Sequence, residues 1–494
     1  MALPDLIEIV PLTAPVRAEI TVPGSKSITN RALILAALAD GETILQGALW
    51  SEDTQIMVEC LQTLGFMVNV ELDPNETCNR TITVYGNGGA VPRGGTEGQP
   101  LDLFVGNAGT AARFLAPFLC LGSGVYRLHG VPRMHERPQA ALFSALRELG
   151  YRVESENGND KLPVRISHRG PEHTEREKPD SSWSVPQSQK KKCRVSIEES
   201  SQFASALLLS AKHGGWEIEI VGENAEESPY VAMTTKLIAA FPKGGEFQIE
   251  PDASSGSYFW AAGLVLPDSP EYMEYSSQFQ MEVATKIMSK VSVSHWPSSG
   301  WQIDENYLLF NTFKSRFHFL LGKIKSGSFK NLVVEVGHAI PKQPISRSSD
   351  LGDSIMTAIV VTPLLDEELK FTDLGRLRLQ ECERVVALRT ELTKCGAKVV
   401  EEGETLTVYP AKLEELHGAE IETYNDHRMA MCFAVLGLKV PGMKIKNPAC
   451  VKKTFPNFFQ KLAAPPPHGL GAEILEIKNG QRTRQLHGDD LFAD

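Results

Sequence analysis

The sequence predicts an α/β fold, and three stretches built to one plan carry that reading. Asp53–Leu64 places Ile56, Met57, Cys60, Leu61 and Leu64 at helical spacing, followed by Gly65 and the strand-like Phe66–Val70. Gln139–Leu149 repeats the plan with Ala141, Leu142, Ala145, Leu146 and Leu149, then Gly150 and Tyr151–Val153. Val385–Cys395 does so again with Val385, Leu388 and Leu392, then Gly396 and Ala397–Val400. Apolar residues every three or four positions share one helix face. A glycine after the last turn takes the left-handed conformation that ends the helix. Val231–Phe241 and Met281–Ser289 read as weaker copies without the glycine. A unit that recurs in both halves argues for a fold built from repeats.

The chain has 494 residues, 42% hydrophobic and 22% charged. That is globular composition, not that of a disordered, collagen-like or disulfide-scaffold protein, and the length suits about two or three domains. The longest apolar stretches, Ala32–Ala39 and Met429–Leu438, fall short of the roughly 20 residues that span a bilayer, so no membrane association is expected. A net charge of −11 argues against a nucleic-acid partner. Anionic small molecules remain compatible with it, given a locally basic pocket. The eight cysteines form no CxxC pair and no HExxH occurs, so no metal site is supported. The cysteines are expected to be reduced and mostly buried. The start, MALPDLIEIV, lacks a basic segment and apolar core, and a cytoplasmic location is expected. Pro171–Lys192 cannot build a core and reads as an exposed insertion, its basic run Lys190–Lys192 as solvated surface. Ala463–Gly471 breaks the last pattern, and 465–494 read as an appended tail.

Several segments place polar groups at helix starts. Val22–Arg31, PGSKSITNR after the valine, turns at Pro23-Gly24 and offers Ser25 or Ser27 as a cap. Hydroxyls, free N–H groups, Lys26 and Arg31 would converge there on an anion. An ordinary capped helix with surface cations fits equally. It is not a Walker loop, because Ser25 rather than glycine precedes Lys26. Gly106 and Gly109 flank Asn107 before Thr110 and another helix, where a ligand can come close to the backbone. Arg133 and Arg137 precede the second repeat helix, and Ser200, Ser201 and Gln202 open a further one. In the second half, Asp353 lies at a turn before an apolar helix, and Glu381, Glu383 and Arg384 form a cluster. Asp426, His427 and Arg428 follow Tyr424-Asn425, and Lys453 precedes Thr-Phe-Pro. A carboxylate among cations can serve as acid or base. It can equally be a helix-start carboxylate favoured by the dipole. The spacing of Asp353, Asp426 and His427 does not support a metal triad.

In this order, PGSKSxxNRA, GNAGTAxR, PRMxERP, SSQF, PYVxMT, DASS, TYNDHRMAMCF and KTFP resemble the 3-phosphoshikimate 1-carboxyvinyltransferases, the EPSP synthases, from about residue 8 to about residue 462. The resemblance implies two similar α/β domains, each of three repeats with helices buried under sheets. It places the first at 25–251 and the second at 1–24 with 252–464, the crossings falling near Gly24 and Asp252. The implied reaction moves the enolpyruvyl group of phosphoenolpyruvate to the 5-hydroxyl of shikimate 3-phosphate and releases phosphate. It proceeds by addition and elimination, with no metal or organic cofactor. Both substrates are anions, so several cations must offset their repulsion.

By resemblance, Lys26, Ser27 and Arg31 hold shikimate 3-phosphate, with Lys26 also reaching phosphoenolpyruvate and counted with Asp353 and Glu381 among the catalytic residues that share the proton traffic. Asn107, Gly109, Thr110 and Arg137 line the phosphoenolpyruvate side. Ser200, Ser201 and Gln202 bind the shikimate phosphate and ring, with Ser228 and Tyr230 nearby. Asp353 is implied as the base at the 5-hydroxyl and Glu381 as the proton donor to the enol carbon. Gln380, Arg384, His427, Arg428 and Lys453 complete the grip, with Asp426 in support. A monomer is expected. Glyphosate competes for the phosphoenolpyruvate site in this family, and Gly109-Thr110 matches the sensitive pattern, although Phe114 stands where some members have proline.

The chain departs from the family at several positions. Arg376 and Gln380 replace the usual asparagine and lysine, and Arg376 could supply charge from a new direction. Glu227 replaces a serine, so that either Ser228, one place later, takes its role or the loop shifts. The family's QGD motif is not recognisable around Gln278–Glu282, and Ser289–Val336 align poorly. Two alternatives stand beside the transferase. One is the sister enolpyruvyl transferase acting on UDP-N-acetylglucosamine, disfavoured by Ser27 and by Cys120 lying in an apolar stretch. The other is a non-catalytic binding homologue, motivated by Arg376, Gln380 and Glu227.

Overall fold

The computed structural model describes residues 3–168, 191–222, 228–266, 291–311 and 344–493. The chain divides into two compact units, Pro23–Glu250 and Met1–Val22 with Pro251–Asp494.

All three helix–glycine–strand units form. The helices are Glu52–Thr63, Ala140–Glu148 and Arg384–Lys394. The strands that follow are Met67–Leu72, Arg152–Ser155 and Val399–Glu402. Gly65, Gly150 and Gly396 sit between them at φ of +91°, +86° and +86°, a conformation that a side chain would strain. The weaker copy at 231–241 is the helix Pro229–Ala240. The copy at Met281–Ser289 lies outside the described residues, as do Glu227 and the region around Gln278–Glu282. So does the insertion up to residue 190, while its last two lysines open the strand Lys191–Ser196.

The repeat extends to sheet topology. Three sheets of four strands share one pattern. In each, a strand leads into the repeat helix, and an antiparallel pair returns beside that strand. A further strand joins its open side in parallel: Gly245–Gln248 on Asp40–Leu49, Leu101–Phe104 on Val125–His129, and Ile345–Ser346 on Leu369–Thr372. Beneath the sheets lie helices apolar on nearly every face, which only an interior position satisfies. They are Lys26–Leu38 and Gly109–Leu119 in one unit, and Ala253–Val265, Ile355–Val361 and His427–Gly437 in the other. No helix among the described residues is long and apolar enough to cross a membrane. The eight cysteines are unpaired, and all but Cys382 are buried.

The expected tail is corrected. Residues 465–494 are not an appendage, because Ile474–Lys478 pairs with the N-terminal strand Leu6–Ile9 and continues into the edge strand Gln481–Gln485. Ile474, Leu486 and Leu491 are at most 1% exposed. The Pro-rich segment that breaks the helical pattern turns the chain back onto the sheet, which composition alone does not distinguish from a tail.

Candidate active site

Each unit gathers its share of the expected residues at helix starts. In the unit Pro23–Glu250, Ser25 is the N-cap of the helix Lys26–Leu38. Its N–H donates to the Glu250 carbonyl at 2.8 Å. Gly24 must be glycine, since a Cβ there would lie 2.0 Å from the Gly47 carbonyl. The turn delivers Lys26 onto Asp53, Nζ to Oδ2 at 3.1 Å. Arg31 occupies a deeper position than a surface cation would. Its Nε donates to Thr234 Oγ1 and its Nη1 to the Ser27 carbonyl, both at 2.8 Å, and its Nη2 reaches Ser205 and the Tyr230 carbonyl. Burial pulls its pKa down to about 10, so it stays charged at neutral pH. Arg31 thereby ties Ser27 and Tyr230 to one guanidinium.

Gly109 begins the next helix with the Arg137 guanidinium against it. A Cβ on Gly109 would come 2.6 Å from Arg137 Nη1. Arg137 is buried and its Nη1 faces the Asn107 carbonyl at 3.5 Å. Arg133, its neighbour in the motif, pairs with Glu136 at the surface. Gln202 links two segments, accepting from Arg113 Nη1 at 2.7 Å and donating to Thr110 Oγ1 at 3.2 Å. Ser200 and Ser201 form the buried turn before it. Ser228 caps the helix Pro229–Ala240, and its buried hydroxyl has no partner among the described residues. That is an arrangement suited to an incoming anion.

The other unit holds the carboxylates. Asp353 is clamped by two arginines, Arg347 Nη2 at 2.5 Å from one oxygen and Arg428 Nη2 at 3.3 Å from the other. Burial alone would raise its pKa, but Arg428, Arg347 and Arg384 hold it well below the usual carboxylate range. Glu381 lies between Arg384 at 2.8 Å and Lys453 at 3.3 Å. Arg384, 1% exposed, donates through Nε to Asp426 Oδ2 at 2.6 Å and through Nη1 to Gln380. Gln380 thus orients an arginine in place of carrying a charge. Arg376 lies on the half-buried 3-10 turn Gly375–Leu379.

Asp426 is fully buried and caps the helix His427–Gly437 by accepting the Arg428 N–H at 2.9 Å. Tyr424 and Asn425 precede it in the left-handed region, at φ of +54° and +55°, which is how the TYNDHR segment aims that carboxylate. His427 is buried beside it, Nδ1 3.8 Å from Asp426 Oδ1. Arg428 also donates to Ser254 at the start of the helix Ala253–Val265. Cys382 Sγ lies 3.5 Å from Asp426, where burial and that carboxylate push the thiol pKa up. No group of metal-ligating side chains occurs among the described residues.

Sequence reasoning missed Asp53, Ser254, Asp304 and Arg347. Asp53 offered a signal, as an acidic residue in the first turn of a repeat helix. Arg347 and Asp304 offered none, since they lie in a one-turn π-helix and a 3-10 turn, both too short to show a period.

The fold is that of the enolpyruvyl transferases. EPSP synthase from Acinetobacter baumannii superposes with a TM-score of 0.60 at 18% identity, covering 95% of this chain and all of that one. The enolpyruvyl transferase NikO from Streptomyces tendae gives 0.57 at 14% identity, over 98% of this chain and all of that one. The sequence narrows the class further. The family model for EPSP synthase (3-phosphoshikimate 1-carboxyvinyltransferase) matches residues 11–243 and 239–462. The 3-phosphoshikimate 1-carboxyvinyltransferase of Opitutus terrae is 36% identical over 94% of this chain and 98% of its own. That of Trichormus variabilis is 33% identical over 92% and 98%. The chain belongs to the EPSP synthase family.

Proposed function

We propose that the Asp353 and Glu381 clusters carry out the reaction of this family, the transfer of the enolpyruvyl group of phosphoenolpyruvate to the 5-hydroxyl of shikimate 3-phosphate with release of phosphate. The observation that supports these roles most is the pair of part-buried carboxylates, each held by cations that an anionic substrate can compete for. Arg384 and Lys453 neutralise Glu381 at rest. A phosphoenolpyruvate anion drawing on those cations raises the proton affinity of Glu381, which then donates to the methylene carbon. The adjacent carbon becomes electrophilic, the 5-hydroxyl oxygen bonds to it, and the hydroxyl proton passes to Asp353. Elimination returns a proton from the new methyl group to Glu381 and breaks the carbon–oxygen bond to phosphate, which leaves with the proton held by Asp353, so the enol and both carboxyl groups are restored.

On this reading Arg384, Arg428, Lys453, Arg137 and Lys26 bind phosphoenolpyruvate, with Asn107, the close-approach site Gly109 and Thr110. Ser27, Ser200, Ser201, Gln202, Ser228 and Tyr230 take shikimate 3-phosphate. Arg31 acts by holding Ser27 and Tyr230 in place. His427 and Gln380 set the orientation of Asp426 and Arg384. Arg376 supplies positive charge from a different direction than the lysine that Gln380 replaces. The protein works as a monomer in the cytoplasm. The rival reading as a binding homologue loses ground because Asp353, Glu381 and the surrounding cations are all present.

The test is phosphate release from purified protein without added metal. Release that needs both substrates together, and that glyphosate suppresses competitively with phosphoenolpyruvate, is the expected result. Tight binding of shikimate 3-phosphate without any release would overturn the enzyme reading. Release unchanged at millimolar glyphosate would overturn the assignment of Gly109 and Thr110.

A further inference from the structure

Asp304 lies in the 3-10 turn Ile303–Asn306, outside every motif discussed above. It is 6% exposed. Its Oδ1 accepts the N–H of Ser354, the residue after Asp353, at 2.6 Å. On the other side, a Cβ added to Gly352, at φ +59°, would fall 2.7 Å from Oδ2. The carboxyl therefore packs against both chain neighbours of Asp353, and only glycine at 352 admits it.

We propose that Asp304 is a positioning residue for the transfer reaction: its carboxyl holds the turn that carries Asp353 and tunes how strongly Asp353 takes a proton. The inference rests on Asp353 being the base.

The surroundings make the second effect physical. Burial disfavours the charged form of Asp304, and the Asp353 charge opposes it further, while Arg428 and the Ser354 N–H favour it, so its pKa is pushed up to about 7. The other charged group acting on it is Asp252, at the start of the helix Ala253–Val265, which also opposes ionisation. On the packed turn Arg347–Leu351, Arg347 is committed to Asp353 and Asp350 accepts the Ser346 N–H at 2.7 Å. Glu305 is its neighbour on its own turn, and the Tyr307 phenol, on the next helix, stays neutral because burial raises its pKa. Asp353 and Asp304 are therefore a coupled pair. Asp353 is ionised between two arginines, and Asp304 is a neutral acid below about pH 7. Once Asp304 ionises, its negative charge makes Asp353 a stronger base.

The stability sign follows from the same raised pKa. Between the ordinary value of 3.8 and about 7, the native state keeps a proton that the unfolded chain has lost. This contribution is complete below 3.8 and is lost as pH rises through about 7.

Asp304→Asn keeps an oxygen for the Ser354 N–H and removes the titration, whereas Asp304→Ala removes both. The wild type is expected to show kcat rising roughly three- to tenfold across neutral pH, an inflection absent from Asp304→Asn. The urea midpoint of Asp304→Asn should fall less between pH 5 and 8 than that of the wild type, a change a purely structural oxygen would not produce. Asp304→Ala should lower kcat at every pH; should it fail to fold, Asp304→Asn still decides. An Asp304→Asn variant that keeps both the inflection and the wild-type stability slope, while Asp353→Asn is inactive, overturns this inference alone. An Asp353→Asn variant that still releases phosphate overturns the base assignment and this inference with it.

Discussion

Arg347 shows how one residue sets the chemistry of another. At 2.5 Å from Asp353, it keeps that carboxylate ionised and is therefore also a brake on its basicity. Removing the positive charge in Arg347→Met should raise the Asp353 pKa, moving the acidic limb of kcat/KM upward by about one to two units. An unmoved limb would mean that the arginine does not act on the base. The stability sign runs with it. A carboxylate whose folded pKa is depressed contributes stability above its ordinary 3.8 and loses it as pH falls through the folded value. In Arg347→Met that contribution should be smaller and its loss complete at a higher pH, read as a smaller fall of the urea midpoint on acidification below 3.8. Asp426 illustrates the structural side of the same cluster. Removing it leaves Arg384 buried and underpaired, at a cost of roughly 3–5 kcal/mol, so Asp426→Ala should lower the urea midpoint steeply.

At the scale of elements, helix starts do most of the positioning. Gly109 and Arg137 come from successive segments, and the absence of a Cβ is what lets them touch. Gly109→Ala should displace the guanidinium and raise KM for phosphoenolpyruvate roughly ten- to a hundredfold. An unchanged KM would show that Arg137 yields without consequence. The two-stranded hairpin at 474–485 is the other decisive element. It and the turn after it bury Ile474, Leu475, Ile477, Leu486 and Leu491, each contributing roughly 1.5–3 kcal/mol. The sum rivals the roughly 5–15 kcal/mol by which domains are stable. Truncation after Gly471 should therefore yield insoluble or proteolysed protein, and a soluble product with the wild-type melting temperature would contradict this packing.

The same elements explain what could be read in advance. Caps, glycine turns and helical periodicity are local, so the three repeat helices were legible from spacing, while the cap was open between Ser25 and Ser27 and the roles of Gly109 and Asp353 came from the family resemblance. Asp304 and Arg347 meet Asp353 through tertiary packing of short turns, and residues 465–494 join a strand hundreds of positions away. Such pairings leave no short-range pattern.

For the whole molecule, charge is the instructive quantity. The net charge is −11, yet the groups meeting Asp353 and Glu381 are Arg347, Arg384, Arg428 and Lys453. A locally cationic site in an acidic chain draws anionic substrates without attracting polyanions at large. Asp353 is proposed to accept the hydroxyl proton during transfer. The most direct test of that role compares wild type with Asp353→Asn for phosphate release at saturating shikimate 3-phosphate and phosphoenolpyruvate, alongside calorimetric binding of shikimate 3-phosphate. Release reduced by roughly 10²- to 10⁴-fold with binding retained is the predicted result; release at the wild-type rate would contradict it.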